Sequence, residues 1–262
     1  MTTKPFEGHH ALVTGAGGGI GGATALALAR AGARVSLAGR RRAPLEEVAR
    51  FMPEDSALVV DAFDVTSEAA VTSGLERARN ALGPVTILVN NAGEAPSAPF
   101  EKTDPGLWSR ALAVNLSGAY LVSRAVLADL KARGAGARLI NVASTAGLVG
   151  YAYVAAYCAA KHGLIGLTRA LALEFAKTGI TVNAVCPGFT ETPLVERAVE
   201  TIVAKTGRSE ETAKAELTKT NPQGRLVRPE EVADAVVWLA SPGAASINGQ
   251  AIVVAGGEVM VG

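Results

Sequence analysis

The chain has 262 residues, 49% of them apolar and 19% charged, with a net charge of +1. A chain of that make-up buries a large core under a modest polar surface, which excludes disorder, and it carries no electrostatic footprint for nucleic acid or an anionic membrane. Its two cysteines, Cys158 and Cys186, form no CxxC pair, so a disulfide framework and a zinc site are both unexpected and no metal is assigned. The opening MTTKPFEGHH has no apolar signal core and no apolar run of about 18 residues follows, so a soluble cytoplasmic protein without membrane partners is expected. His9 and His10 stand at the start of an apolar strand, where they point to opposite faces and do not share a metal.

From there short apolar runs alternate with helical segments. ALVTG (11–15) reads as a strand and IGGATALALARAG (20–32) as a helix ending at glycine. RVSLAG (34–39) is a strand, APLEEVARFM (43–52) a helix, and a third strand lies within 57–65. A helix over 67–83 has Ser67 as its N-cap. VTILVNNAG (85–93) is a strand, a long helix covers about 107–133, and ARLINVAS (137–144) is the fifth strand. A helix over 154–178 leads to the strand ITVNAVCPG (180–188). The segment 189–228 breaks the alternation with two helical stretches of its own, LVERAVETIVAKTG and SEETAKAEL. A helix over 229–241 starts at Pro229, and GQAIVVAGG (249–257) is the last strand.

The strands are continuous apolar runs, as parallel strands covered on both faces are. Strand–helix alternation then gives an α/β fold: one domain over 1–262, with a doubly wound parallel sheet of about seven strands flanked by helices. Ligands of such sheets bind beyond the carboxyl ends of the strands, which makes 189–228 a candidate lid over the substrate.

TGAGGGIG (14–21) joins the first strand to the first helix. Glycines let a backbone approach a pyrophosphate closely, and the free N–H groups of a helix N-terminus receive its charge, so Gly15, Gly19, Ile20 and Gly21 are candidate dinucleotide contacts. An NAD-preferring site usually has an acid at the end of the second strand, where this chain has Gly39 followed by Arg40. A guanidinium pairs with a 2′-phosphate that a carboxylate would repel, so Arg40 favours NADP(H), with NAD(H) still possible; Arg41 and Arg42 read as a solvated turn.

Tyr157 and Lys161 are four residues apart on the helix expected over 154–178, and so share a face. Neither Tyr151 nor Tyr153 has a lysine at that spacing. A nearby ammonium stabilises a phenolate and brings a tyrosine within reach of proton transfer. Ser144 ends a strand thirteen residues earlier, where its hydroxyl can hydrogen-bond a substrate oxygen.

With these residues in view, the chain resembles the short-chain dehydrogenases/reductases from end to end. The matching motifs are TGAGGGIG, Asp64–Val65, NNAG at 90–93, Asn115 in VNLSG, Ser144, YCAAK and Pro187–Gly188. The resemblance implies a Rossmann-like fold, a homotetramer, and a catalytic tetrad of Asn115, Ser144, Tyr157 and Lys161. Tyr157 would exchange the proton, Ser144 orient the carbonyl oxygen, Lys161 depress the tyrosine pKa and hold the nicotinamide ribose, and Asn115 hold a water. Asp64 and Val65 would contact adenine, and Asn91, Ala92 and Gly93 the adenosine ribose. Pro187, Gly188, Thr190 and Thr192 would flank the nicotinamide. Asp64 is equally suited to start a turn, and Asn115 to bridge backbone groups in a kinked helix.

The substrate is less legible. The lid resembles that of 3-hydroxybutyrate dehydrogenases, but Ala95, Ala146, Val154 and Glu196 stand where a small carboxylate would be held. The chain also resembles 3-oxoacyl carrier-protein reductases and aromatic polyketide ketoreductases, with Leu173 where the former commonly place an arginine for their acidic carrier. Walls built from Ala95, Ala146, Leu148, Tyr151, Tyr153, Val154, Phe189, Leu194 and Val195 suit an uncharged ketone or a 3-oxoacyl thioester, each residue being equally at home in the core. The rival readings are an NAD-dependent 3-hydroxybutyrate or other secondary-alcohol dehydrogenase and a non-catalytic NADP(H)-binding regulator, which would need the glycine loop but not the tetrad.

Overall fold

A computed structural model describes residues 4–260. Seven strands form one parallel sheet: β1 (His10–Thr14), β2 (Arg34–Ala38), β3 (Ala57–Val60), β4 (Ile87–Asn90), β5 (Arg138–Val142), β6 (Thr181–Pro187) and β7 (Ala251–Val254). Their spatial order is β3-β2-β1-β4-β5-β6-β7, so the winding reverses between β1 and β4. That reversal opens the crevice at the carboxyl ends in which such sheets bind ligands.

The helices divide between the two faces. On one side lie α1 (Gly19–Arg30), α2 (Arg42–Ala49) and α9 (Pro229–Ala240), whose Leu28, Leu45, Val232 and Val236 pack on Val13, Val35, Val89 and Val185. On the other lie α3 (Glu68–Leu82), α5 (Gly118–Arg133) and α6 (Ala155–Phe175), through Leu75, Val126, Leu130 and Phe175. Ser67 caps α3 as its sequence predicts, its hydroxyl accepting from Ala70 N–H. The central strands β1, β4, β5 and β6 are buried along their whole length, whereas β7 and most of the edge strand β3 are half-buried. Apolar runs therefore predict full cover only where a neighbouring strand lies on each side.

The helix expected over 107–133 is two helices, α4 (Pro105–Leu112) and α5, joined by a π-helical turn at Ala113–Ser117. Asp104 caps α4 by accepting from Leu107 N–H. The stretch from 105 to 133 is long and apolar enough to span a bilayer by composition; here Ala111, Val122, Val126 and Leu130 are buried in the fold, and 39% of its most apolar window is buried. Within 189–228 the chain forms α7 (Pro193–Thr206) and α8 (Glu210–Thr218), which share a small core of Val195, Val199 and Ala213 with Phe189 and Leu217 packed against it.

Candidate active site

The end of β1 is sewn to the end of β4 by one hydroxyl. Thr14 Oγ1 accepts from the N–H groups of Asn91 (3.0 Å) and Ala92 (3.1 Å). The Asn91 amide answers by donating to the carbonyls of Thr14 (3.0 Å) and Gly15 (3.2 Å). Gly15 takes a φ of 66°, and a Cβ there would stand 2.9 Å from Ala92 Cα, so only glycine fits. Gly21 is buried under Asn91, Gly19 touches Thr192, and Ile20 packs toward the core. No acid occupies the first turn of α1, which leaves its N-terminal N–H groups to an anion.

Beside this loop is a cavity of about 140 Å³ lined by Gly15, Gly39, Arg40, Asp64, Val65, Ala92, Gly93 and Glu94. Arg40 is exposed at its rim and makes no ion pair among the described residues. Arg42 is engaged instead by Glu46 (3.1 Å) and Asp61 (3.2 Å). Asp64 starts a turn, its Oδ1 accepting from Thr66 N–H (2.9 Å) and Oγ1 (2.8 Å), and the residue also lines the cavity. Those bonds hold its carboxyl below the usual carboxylate range. A glycine cradle, a helix N-terminus free of acids and an adjoining cavity with a cationic rim fit a dinucleotide.

The other end of the crevice gathers the polar residues. Asn115 sits in the π turn, 1% exposed. Its amide donates to the carbonyls of Glu94 (2.8 Å) and Ala111 (3.0 Å), and its Oδ1 accepts from Glu94 N–H (3.2 Å). It therefore ties the β4–α4 segment to the bulged helix. The extra residue of a π turn leaves main-chain carbonyls without their regular helical partners, and Asn115 serves one of them. A Cβ on Gly93 would lie 2.9 Å from Asn115 Oδ1 and 3.7 Å from Lys161 Nζ, so all three meet at one point. Lys161 is buried and donates to Val142 O (2.8 Å). Its ammonium lies 5.6 Å from the centre of the Tyr157 ring. Ser144 caps a short 3-10 turn, accepting from Ala146 N–H at 3.1 Å, and its hydroxyl lowers the Tyr157 pKa in part.

The electrostatics differ from the expectation that Lys161 depresses Tyr157. Burial pushes Tyr157 up to about 12 and Lys161 down to about 8. The two share a helix face as their spacing requires, but the ammonium is committed to Val142 O and lies over the ring, away from any ion pair with the phenol. Desolvation outweighs attraction here, and the tyrosine is held as a proton donor.

Of the expected substrate wall, Tyr151, Val154, Phe189 and Leu194 are half-buried, and Ala146 is buried beside Ser144. The Tyr151 and Phe189 rings meet edge to face with centroids 6.1 Å apart. Val195, expected in the substrate wall, is instead spent in the small core shared by α7 and α8, because α7 turns that face toward α8. Glu196 lines a groove along α1 with Gly19, Glu191 and Glu230. Pro187, Thr190 and Thr192 are buried and Gly188 is half-buried; Thr192 caps α7 by accepting from Val195 N–H at 3.4 Å. Two residues escaped the sequence reading. Thr14 heads the TGAGGGIG motif, but no role was assigned to it, because nothing adjacent in the chain signals the two hydrogen bonds its hydroxyl accepts. Glu258 arrives from the C-terminal segment and accepts from Tyr151 OH at 2.9 Å; an acid flanked by Gly257 and Val259 in an apolar stretch was the available signal.

The short chain dehydrogenase family profile matches residues 9–203. A putative ketoacyl reductase of Streptomyces coelicolor is 41% identical over 264 residues, covering 98% of each chain. A D-beta-hydroxybutyrate dehydrogenase of Cupriavidus necator is 39% identical over 246 residues, covering 93% of this chain and 95% of its own. Among solved structures, an actinorhodin polyketide ketoreductase with NADPH superposes with a TM-score of 0.89 at 38% identity, covering 98% of this chain and 99% of its own.

Proposed function

The chain belongs to the short chain dehydrogenase family, an oxidoreductase family acting on hydroxyl and keto groups, and from that premise we propose that it is an NADP(H)-dependent carbonyl reductase for an uncharged ketone or a 3-oxoacyl thioester. The observation that carries the reading is the meeting of Asn115 Oδ1 and Lys161 Nζ at Gly93, which also lines the Arg40 cavity, with the Tyr157 ring 5.6 Å from that ammonium and the Ser144 hydroxyl acting on Tyr157. The glycine loop and the N-terminus of α1 would hold the pyrophosphate of a bound dinucleotide, whose reduced nicotinamide would supply the hydride. Tyr157, held protonated by burial, gives its phenolic proton to the carbonyl oxygen. Ser144 donates a hydrogen bond to that oxygen and holds it in line with Tyr157. Lys161, with its amine near 8, carries a proton at neutral pH and offsets the negative charge that develops on the phenol. Asn115 holds the backbone at Glu94 against the π turn and so keeps Gly93 clear beside Lys161.

Preference for NADP(H) is supported by Arg40 and Gly39: among the described residues Arg40 has no acidic partner, Gly39 stands where a carboxylate would repel the 2′-phosphate, and Arg42 is already engaged. The NADPH of the actinorhodin ketoreductase structure points the same way. The substrate class rests on the apolar wall of Ala146, Val154, Phe189 and Leu194. The identity with a hydroxybutyrate dehydrogenase favours a second reading, NAD-dependent oxidation of a small hydroxy acid. Initial rates with NADPH and NADH on ethyl acetoacetate, acetoacetate, acetoacetyl-CoA and an aryl ketone separate the two. The proposal requires NADPH to win and the neutral ketones or the thioester to turn over faster than acetoacetate. NADH winning with acetoacetate would establish the second reading instead.

A further inference from the structure

The acid facing the substrate wall is not the one in the lid. Glu258 lies in the turn after β7, half-buried. Its Oε1 accepts from Tyr151 OH (2.9 Å) and from Thr220 Oγ1 (2.8 Å), just beyond α8. A Cβ on Gly188 would come within 2.9 Å of Oε2, so the carboxylate rests on the end of β6. Tyr151 also reaches Thr145 Oγ1 (2.9 Å), next to Ser144, and its ring meets Phe189. One carboxylate thus contacts three segments around the carbonyl end of the crevice: the loop after β5, the end of β6 and the stem of the lid. Among the described residues no Lys, Arg or His forms an ion pair with it, and no donor reaches Oε2.

We propose that Glu258 is a specificity-determining residue: its unneutralised carboxylate, set among Tyr151, Thr220 and Gly188, rejects carbonyl substrates that carry an anionic group near the reacting carbon and admits their neutral counterparts. The inference rests on the reading of the chain as a reductase of uncharged ketones and names the group that makes the distinction. A hydroxyl-bonded carboxylate with no counter-ion repels a second carboxylate in a partly desolvated site, whereas an ester or thioester in the same place meets no such penalty. The apolar wall alone would merely fail to attract an anion; Glu258 opposes it.

The test compares Glu258→Gln, which keeps an acceptor for Tyr151 and Thr220 but drops the charge, with Glu258→Ala, which drops both. Binding of 3-hydroxybutyrate and of its methyl ester to the NADPH complex is measured by calorimetry. With reduced cofactor and alcohol together no reaction consumes either ligand. In the parent protein the ester is expected to bind at least about tenfold more tightly than the acid, the scale of one unit charge in a partly screened site. In Glu258→Gln that preference should shrink to about threefold or less, with ester binding little changed. In Glu258→Ala it should shrink equally, with weaker binding of both ligands because the lid has lost its tie. An acid/ester ratio unmoved by Glu258→Gln overturns the assignment, and so does equal binding of the two ligands by the parent. The reading beneath is tested apart from it, by turnover of ethyl acetoacetate with NADPH. If that ketone is not reduced while the binding ratio still shifts in Glu258→Gln, the reductase reading fails and the role of Glu258 stands.

Discussion

In the proposed reaction Tyr157 and Lys161 act in protonation states set mainly by burial. Tyr157→Phe removes one hydroxyl from a half-buried ring and should lower turnover roughly 10²–10⁴-fold, the usual worth of a positioned acid. NADPH binding, followed by fluorescence, should survive; loss of binding together with turnover would mean that the ring is structural. Lys161 titrates near 8 because its charged form is desolvated. Since the ammonium is the form that supports proton donation by Tyr157, kcat/KM for reduction should be level below that pH and fall as pH rises through it, up to about tenfold per unit. A rate level to about pH 10 would remove Lys161 from the reaction. Arg40→Ala deletes a charge-assisted bond to a 2′-phosphate and should raise KM for NADPH by roughly tenfold or more, leaving NADH within about twofold. Equal effects on both cofactors would leave the guanidinium without a phosphate to bind.

At the scale of elements, the site depends on how strand ends are joined. The two β1–β4 contacts through Thr14 Oγ1 set the glycine loop against the segment that carries Gly93. Thr14→Val keeps the shape and leaves two N–H groups without their acceptor. It should cost about 2 kcal/mol or more in a denaturant titration and weaken cofactor binding as well. A variant as stable as the parent would show that those N–H groups find other partners. The π turn is the other joint. A residue count over 107–133 fits one helix, since periodicity registers side chains and says nothing of a single residue's slip in hydrogen-bond register. That slip turns Asn115 inward onto Glu94, so the tetrad position expected from the VNLSG motif is reached by a backbone irregularity.

At the scale of the whole molecule, the amino end of the central strand β1 is held by His10, which is buried. Its Nδ1 donates to Gly83 O (2.7 Å) and its Nε2 accepts from Ser36 Oγ (2.9 Å). Burial depresses its pKa below 6.5, so the folded state resists a proton that the unfolded chain accepts. Stability is therefore full above that pH and drains away as pH falls through it. Melting temperature, followed from about pH 8 to about pH 5, should decline mainly over the acid half of that range. A flat profile would mean that His10 takes up its proton equally in the folded and unfolded states. The family resemblance implied a homotetramer, and we propose that Tyr120 on α5 and Leu173 on α6, 46% and 82% exposed, are covered in it; sedimentation at a monomer mass would end that proposal.

What the amino-acid sequence determined by itself was the order and kind of the elements, the glycine loop, the Arg40 position and the Tyr157–Lys161 pairing. Each depends on residues close together in the chain: a period of apolar side chains, a run of glycines after a strand, a spacing of one helical turn. Tertiary structure alone decided the rest, because it brings together residues that the chain keeps far apart. Val195 turned out to face α8, and Glu196 a groove along α1. The acid at the substrate wall came from the turn after β7, since β7 lies beside β6 in the sheet and its end falls against Gly188. Nor could spacing supply the pKa values of Tyr157 and Lys161, which are set by how completely the surrounding fold excludes water from them.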